Sequence, residues 1–536
     1  MNIYYFIIFY YKKIRPKATL FLQILLCLLE ITARCSDWTR WGGPNNTGNM
    51  YSAEKNTPVE FDPGKLKQGS DEIDFSTTKN VRWIAKLGSQ SYGNVVIANG
   101  KVLIGTNNEF PRDTRYKGDK SVLLCLSEKT GEFLWQLVIP KHKAGKAIDY
   151  DNLGLLCSPA IIGNRVYIVS TRGEVLCLDI EGVKNGNDPP FLDEANYVVQ
   201  DTDISPSAPG EKDADIIWRF NMLDDLGALP HNAVNGSPLL IGNILYATTS
   251  NGADFNHNYG YVPFPFSPNV IALDATTGKL IAVDDAQNGM NIFHGQWSSL
   301  SSGRVNDNDL IFYGGGDGWL YGLNAKPITK SDKNLLPVVW KADCNPPEYK
   351  SKEGVKIKYP DPNGPSEIVS TPVFFNNRVY VTIGQDPENG EGVGRLLCFD
   401  ATKAGDITTN GLVWDNKDIK RSLSTVSIDP ETGLLFVADF SGFVYCFDAA
   451  TGKLFWSYDM KGHIWGSTLV ADGKVYVGNE EGDFVVLPAK KEFKKSDKPL
   501  FSTNFGAPIY STPVIANGVL YVSTPMTLYA ITNKTD

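Results

Sequence analysis

The sequence predicts an all-β fold, an eight-bladed β-propeller of four-stranded antiparallel blades. One pattern of short alternating strands and tight turns recurs along the chain, and a strand pattern near residue 80 has no unit before it. The 536 residues include 50 glycines, 31 prolines and 11% aromatic residues. Such a composition is typical of many short strands joined by tight turns.

The repeat is clearest in DFSGFVYCFDAATGKLFW, which begins at Asp439 and ends at Trp456. Its full form is S-x-P-Φ-Φ, a turn, Φ-Y-Φ, a second turn, Φ-Y-x-Φ-D, T-G-K and a last strand that ends in Trp. Alternation with a period of two and turn residues at fixed offsets indicate four strands in each unit. Copies begin at or near Val95, Ser158, Ser237, Ser298, Ser370, Ser424, Ser467 and Ser511. Eight copies predict eight blades.

The two ends of the repeat region predict that the ring is closed by strand pairing. The last copy ends at Ile531 without a fourth strand, whereas Asn80 to Trp83 reads as a fourth strand that follows no unit. Pairing the two removes two exposed sheet edges. Two separate four-bladed rings, or an open solenoid, explain the strand at Trp83 less well.

The cysteines that fall in the repeated strands are predicted to be packing residues. Four of the eight cysteines occupy one position of the third strand, and other copies hold Ala or Gly there: Cys125, Cys177, Cys398 and Cys446, against Ala272, Gly322 and Ala530. A position that accepts Cys, Ala or Gly fills a small gap between sheets. Cys157 and Cys344 lie in loops, and the pattern leaves their role open.

The N-terminus has the layout of an export signal. Four basic residues, from Lys12 to Lys17, precede the apolar run Ala18 to Leu29, which is short for a membrane span. We expect residues 1–35 to be a signal peptide or export segment, 36–79 an N-terminal extension and 80–536 the propeller. Cleavage after Ala33 fits the pattern, and lipid attachment at Cys35 or a retained anchor are the alternatives.

The repeat resembles that of the pyrroloquinoline-quinone (PQQ) propeller superfamily over residues 80–531. That superfamily includes quinoprotein dehydrogenases and non-enzymatic envelope proteins such as the assembly lipoprotein BamB. The D-W-x-x-W-x-G-P stretch from Asp37 to Pro44 is similar to exported PQQ-repeat proteins of planctomycete-type bacteria. The resemblance implies that the tryptophan ending a blade docks on a neighbouring blade: Trp83, Trp135, Trp218, Trp340, Trp414 and Trp456.

The long loops are predicted to gather on one face. With strands A to D in each blade, the B–C turns and D–A crossings emerge on the same side, and most of the insertions fall in them. Binding residues belong on loops held by a rigid scaffold. The candidate ligand-binding residues are therefore His231, Asn251, His294, Gln296, Trp297, Asp317, Trp319, Gln385, Asp386, Glu388, Asp439, His463 and Trp465.

The sequence supports no specific catalytic or metal chemistry. The resemblance would imply PQQ with calcium, but the chain has neither the adjacent Cys pair of many quinoprotein dehydrogenases nor a C-x-x-C-H haem site. The five histidines lie in separate loops without metal-ligand spacing. We therefore expect no metal, with the loop histidines hydrogen-bonded to the backbone, and we predict no cofactor.

The favoured hypothesis is a monomeric, exported protein of the periplasm or cell envelope that binds a partner protein or ligand through the loop-rich face. The formal charge of −9 gives no reason to expect nucleic acid. The alternatives are a PQQ-dependent oxidoreductase and a glycan-binding or carbohydrate-active propeller. No transmembrane span is expected in the mature chain.

Overall fold

The structure, a computed structural model, describes residues 36–145, 148–232 and 234–533. In this part of the chain, eight blades, each with four antiparallel strands, stand around a common axis, as predicted. No helix in it is long and apolar enough to cross a membrane. The proposed export segment and Cys35 lie outside the described residues.

Each blade runs from an innermost A strand to an outermost D strand. In order A to D, blades 1 to 4 are Val96–Ala98, Lys101–Asn107, Lys120–Ser127, Phe133–Pro140; Ala160–Ile162, Arg165–Val169, Glu174–Asp179, Asp215–Asn221; Leu239–Ile241, Ile244–Thr248, Val270–Asp274, Leu280–Asp284; and Ser301–Val305, Asn308–Gly314, Trp319–Asn324, Val338–Asp343. Blades 5 to 8 are Val373–Phe375, Arg378–Ile383, Arg395–Asp400, Leu412–Asn416; Ser427–Ile428, Leu434–Ala438, Phe443–Asp448, Leu454–Asp459; Leu469–Ala471, Lys474–Gly478, Asp483–Pro488, Phe501–Asn504; and Val514–Ala516, Val519–Ser523, Thr527–Ile531, Val81–Lys86.

Short additional elements decorate this ring. Further strands are Tyr51–Ser52, Lys65–Leu66, Ile73–Asp74, Ile328–Lys330, Lys333–Leu336, Ser351–Lys352, Val355–Lys356 and Gly405–Asp406. The helices are Glu194–Tyr197, Met222–Leu226 and Pro347–Lys350, with 3₁₀ turns at Phe75–Thr77, Gly182–Asn185, Gly289–Asn291 and Pro387–Asn389. Lys333–Leu336 and Gly405–Asp406 pair in parallel with the outermost strands of blades 3 and 4, so they cover exposed sheet edges.

The ring closes as predicted, because the strand Val81–Lys86 is the outermost strand of the C-terminal blade. It pairs antiparallel with Thr527–Ile531, and Trp83 lies opposite Ala530. Its burial alternates along the strand, whereas the B strand of that blade, Val519–Ser523, is buried throughout. The middle strands are covered on both faces by neighbouring blades, and the outer strand keeps one side in solvent.

The small-residue position of the C strand lies directly opposite the tryptophan of the D strand. Cys125 pairs with Trp135, and the same register joins Cys177, Gly322, Cys398 and Cys446 to the tryptophans of their own blades. All six cysteines among the described residues are free and buried, including Cys157 and Cys344. The prediction of packing cysteines is therefore confirmed for the four in strands.

These tryptophans also reach the next blade. Five of them donate Nε1–H to a backbone carbonyl in the C–D turn region of the following blade, at 2.8–3.0 Å: Trp83, Trp135, Trp218, Trp414 and Trp456. At Gly131, Gly278 and Gly452 a Cβ atom would collide with the docked indole ring. The glycine that follows threonine in this C–D turn is thus required by the tryptophan that lies against it. Trp340 is fully buried beside Gly322.

The N-terminal extension runs once around the inside of the ring. Between Trp38 and Ser52 it hydrogen-bonds in turn to all eight A strands, from blade 1 to blade 8. The partner is always the second residue of the strand: Ile97, Ile161, Leu240, Ser302, Phe374, Ile428, Val470 and Ile515. This segment narrows the channel from within and crosslinks every blade.

Candidate functional site

A cavity of about 320 Å³ occupies the mouth of the channel. Sixteen of its lining residues come from two positions of the repeat, which are four and two residues before the start of each A strand. The cavity wall therefore consists of two tiers with eight members each. Trp41 from the N-terminal segment also lines it.

The lower tier is a ring of small polar side chains. Its members, two residues before each A strand, are Asn94, Ser158, Ser237, Ser299, Thr371, Thr425, Ser467 and Thr512. Around most of the ring, the backbone amide of one member donates to the side-chain oxygen of the member on the next blade, at 2.6–3.1 Å. Trp41 Nε1 donates to Thr371 Oγ1 at 2.8 Å. These hydrogen bonds fix the width of the channel.

The upper tier provides the aromatic surface of the cavity. Its members are Tyr92, Leu156, Asn235, Trp297, Val369, Leu423, Trp465 and Tyr510. The rings of Tyr92 and Tyr510 stack at 5.1 Å, and Trp465 meets Tyr510 edge-on at 5.4 Å. These three belong to the consecutive blades 1, 8 and 7, and Trp297 belongs to blade 4 on the opposite side. A ligand between them has aromatic groups on two sides.

Loop residues complete the rim and set its charge. Tyr150, Leu153 and Asn232 come from D–A crossings, and Asp386 to Glu388 come from the B–C insertion of blade 5. Asp386 caps the 3₁₀ turn by accepting from the amide of Glu388 at 2.8 Å. Burial raises the pKa of Asp386 to about 6. Among the described residues, the cavity lining contains two carboxyl groups and no Lys, Arg or His.

Four of the predicted binding residues lie at this cavity. Trp297 and Trp465 are members of the upper tier, and Asp386 and Glu388 are on the rim. Trp465 Nε1 donates to Glu480 Oε2 at 2.9 Å. His463 is adjacent, with Nδ1 2.5 Å from Glu480 Oε1 and its ring stacked on Phe440. His463 therefore supports the wall without lining the cavity.

Three other candidates hold loops together. Asn251 accepts from the amide of Leu229 and donates to the carbonyl of Phe264, and Gln296 donates to the carbonyl of Asn251. Gln385 donates to two carbonyls of the preceding crossing, at 2.8 and 2.9 Å. Each of these amides is buried and satisfied within the protein.

Asp317, Asp439 and Trp319 are remote from the cavity lining. Asp317 accepts from the hydroxyl of Tyr321 at 2.6 Å, and Asp439 accepts from that of Tyr445 at 2.7 Å, so both acids brace B–C turns. Trp319 lies in a separate groove on blade 4.

The repeat contained a signal for the residues that the candidate set lacks. Tyr92 and Tyr510 occupy the same repeat position as Trp297 and Trp465, and alignment on that position identifies all four. Trp41 carries no such signal, because it belongs to the extension outside the repeats.

A second cluster lies behind the wall formed by Trp297. His231, His257 and His294 come from three loops around blade 3, and one nitrogen of each lies within 4.8 Å of the others. Their ring centroids are 4.5–5.3 Å apart. The Trp297 ring packs 4.9 Å from that of His294, and its Nε1 donates to the carbonyl of His231 at 3.2 Å. The sequence did not indicate that these three histidines meet.

The imidazoles of this cluster are incompletely paired, and burial disfavours the charged form of two of them. Burial lowers the pKa of His231 to about 4 and that of His294 to about 2. The Nε2 atoms of all three are buried and have no hydrogen-bond partner among the described residues. A buried polar atom without a partner costs about 1–3 kcal/mol, so three at one place call for an explanation.

A polar relay extends from the cluster. His294 Nδ1 lies 3.2 Å from the hydroxyl of Tyr359, which donates to Glu367 Oε1 at 2.9 Å. Burial, with Asp386 nearby, raises the pKa of Glu367 to about 8. Burial and the neighbouring carboxyl groups raise the pKa of Tyr359 above its usual value.

The chain is similar to known propellers in both sequence and structure. The family model of the outer membrane protein assembly factor BamB matches residues 72–219 and 403–492. This match and the eight repeats support the PQQ-repeat β-propeller superfamily for this chain. No curated protein sequence matches it.

Solved structures are similar to this chain over most of its length. A europium-containing methanol dehydrogenase superposes with a TM-score of 0.54 at 12% identity, covering 91% of this chain and 89% of that chain. BamB from Moraxella catarrhalis has a TM-score of 0.47 at 12% identity, covering 83% and 96%. A quinohemoprotein alcohol dehydrogenase from Comamonas testosteroni has a TM-score of 0.45 at 14% identity, covering 93% and 81%. The similarity to planctomycete-type proteins stays a prediction.

Proposed function

We propose that this PQQ-repeat propeller is an exported binding protein of the cell envelope, and that its channel-mouth cavity takes a compact, uncharged ligand of the sugar class. The observation that carries the proposal is the two-tier wall. Aromatic side chains face one another above a ring of hydroxyl and amide groups, and the rim adds carboxyl groups but no cation.

This combination suits a sugar residue on chemical grounds. The C–H faces of a pyranose pack against aromatic rings, which the upper tier supplies through Trp297, Trp465 and Tyr510. Hydroxyl groups of a sugar both donate and accept hydrogen bonds, as do the Ser, Thr and Asn side chains of the lower tier. Asp386 and Glu388 add strong acceptors at the rim.

The same lining fits PQQ poorly. PQQ is a flat quinone that carries several carboxylates, so its binding requires cationic side chains or a bound cation to offset that charge. The described cavity lining offers only carboxyl groups and neutral side chains. Unless they hold a cation between themselves and the ligand, Asp386 and Glu388 would repel such an anion.

Export and an envelope location are part of the proposal. They rest on the basic residues ahead of the apolar run Ala18 to Leu29 and on the match to an assembly factor named for the outer membrane. That match also favours a second candidate function, a scaffold that binds an envelope protein through the same loop-rich face.

A glycan array followed by calorimetric titration of each hit tests the proposal. We expect Trp465→Ala and Tyr510→Ala each to weaken binding by about tenfold or more, the effect of losing one well-packed aromatic contact. Trp319→Ala is the matched control, because that tryptophan lies in a groove outside the cavity. An array without hits would refute the sugar ligand, as would equal effects of all three substitutions. Recovery of one stoichiometric protein from envelope extract, in place of glycan binding, would support the scaffold.

A further inference from the structure

The three histidines behind Trp297 have the arrangement of a metal site. His231 lies in the crossing that enters blade 3, His257 in the B–C insertion of that blade, and His294 in the crossing that leaves it. His231 and His294 are each 1% exposed. Their unpartnered Nε2 atoms, with that of His257, point to a ligand that accepts three lone pairs at once.

In two of the three histidines, a hydrogen bond at the opposite ring nitrogen fixes the required tautomer. His231 Nδ1 lies 2.8 Å from the carbonyl of Ala253, which can only accept. The Nδ1 atom therefore carries the proton, and Nε2 keeps its lone pair. The hydroxyl of Tyr359 donates to Glu367, so its oxygen accepts from Nδ1–H of His294. Metal-binding histidines are oriented in this way by carbonyl and carboxylate partners.

We propose that His231, His257 and His294 bind one divalent transition-metal ion of the Zn²⁺ class through their Nε2 atoms. Three imidazoles suit Zn²⁺ and its neighbours, whereas Ca²⁺ and Mg²⁺ require oxygen ligands. Three protein ligands leave one coordination position of a tetrahedral Zn²⁺ ion for water or another small ligand.

The bound ion would add a further crosslink between three loops that hydrogen bonds already join, such as the one from the amide of Ala253 to the carbonyl of His294. Trp297 contacts both His231 and His294, so these loops also position one wall of the cavity. The metal site nevertheless stands independently of the sugar proposal, because metal binding can be measured without a ligand in the cavity.

The test is a titration of the metal-stripped, purified protein with Co²⁺ and then with Zn²⁺. We expect one equivalent of Co²⁺ to give the intense visible absorption of a tetrahedral site, and Zn²⁺ to displace it. His257→Asn is the first variant, because His257 is only partly buried and lies in a loop. The metal affinity of this variant should fall by more than roughly 10–100-fold, which is the loss typical when a residue that only orients a metal ligand is changed.

His142→Asn is the control, since His142 lies in a different crossing and its Nδ1 accepts from the amide of Ala144. The thermal midpoint of the wild-type protein and of this control should rise with Zn²⁺, and that of His257→Asn should not. Absence of binding by the wild-type protein would overturn the proposal. Equal binding by both variants would also do so, because it would assign the metal to other groups.

Discussion

Asp317 offers a test of how burial controls stability in this propeller. It is 5% exposed at the B–C turn of blade 4, where its carboxyl group accepts from Tyr321 and from the amide of Trp319. No ion pair involves it among the described residues. Burial raises its pKa from 3.8 to about 6, so the folded protein holds this proton more tightly than the unfolded chain does.

The sign of the effect on stability follows from proton linkage. Between about pH 4 and pH 6 the folded state binds more protons at this group than the unfolded state, so the free energy of unfolding falls as the pH rises. Above the folded pKa the loss is complete. A difference of about two pKa units corresponds to about 3 kcal/mol.

Asp317→Asn removes this titration. The amide oxygen can still accept from Tyr321 or Trp319, and any cost of its extra N–H groups does not vary with pH. We expect the free energy of unfolding of the variant, relative to the wild-type protein, to rise by about 3 kcal/mol from pH 4 to pH 8. Urea unfolding followed by tryptophan fluorescence across that range measures the difference.

Asp439 is the matched control in blade 6. Its carboxylate accepts from Tyr445, from Ser441 and from two backbone amides. Asp439→Asn loses acceptor capacity, so we expect it to lower stability at neutral pH. If the difference between Asp317→Asn and the wild-type protein stays constant with pH, burial is not what governs this carboxyl group.

Two further predictions concern the packing of the ring. Trp83→Ala should lower the free energy of unfolding by about 3–5 kcal/mol, since it removes a buried indole and its hydrogen bond to Glu128; a loss below about 1 kcal/mol in urea unfolding would contradict the role of this strand in closure. Gly322→Ala should cost about 1–3 kcal/mol, although other blades hold Ala or Cys at this position, because its Cβ would lie 2.3 Å from Trp340. An unchanged denaturation midpoint would show that the indole moves aside easily.

The fold could be predicted because the same strand and turn pattern occurs in every blade. The last copy has only three strands, and the strand at Trp83 is the missing fourth one. Ring closure therefore follows from counting the strands of each copy. The local fit of each blade is less predictable. Gly322 and Cys446 occupy equivalent positions, and each packs against the tryptophan of its own blade. The repeat alone does not show whether a larger side chain would fit in place of Gly322.

The N-terminal extension and the histidine cluster could not be predicted, for a common physical reason. Both depend on segments outside the repeat, whose paths the repeat pattern does not specify. His257 lies in an insertion between two strands, and its backbone adopts the left-handed conformation, with φ of 54°. No periodicity specifies that path, so the sequence placed three histidines on one face without showing that they meet.

The cavity residues were only partly predictable, in contrast to the fold, which the repeat predicts, and the histidine cluster, which it does not. They show how residues of a propeller are best compared. Trp319 and Trp465 are the same residue type, and the loop pattern predicts both as ligand contacts. They differ in repeat position: Trp465 lies four residues before an A strand, and Trp319 begins a C strand. Radial distance from the axis increases from A to D, so the first position reaches the channel and the second cannot. Position in the repeat, more than residue type, therefore determines which side chains of a closed ring can touch a ligand on its axis.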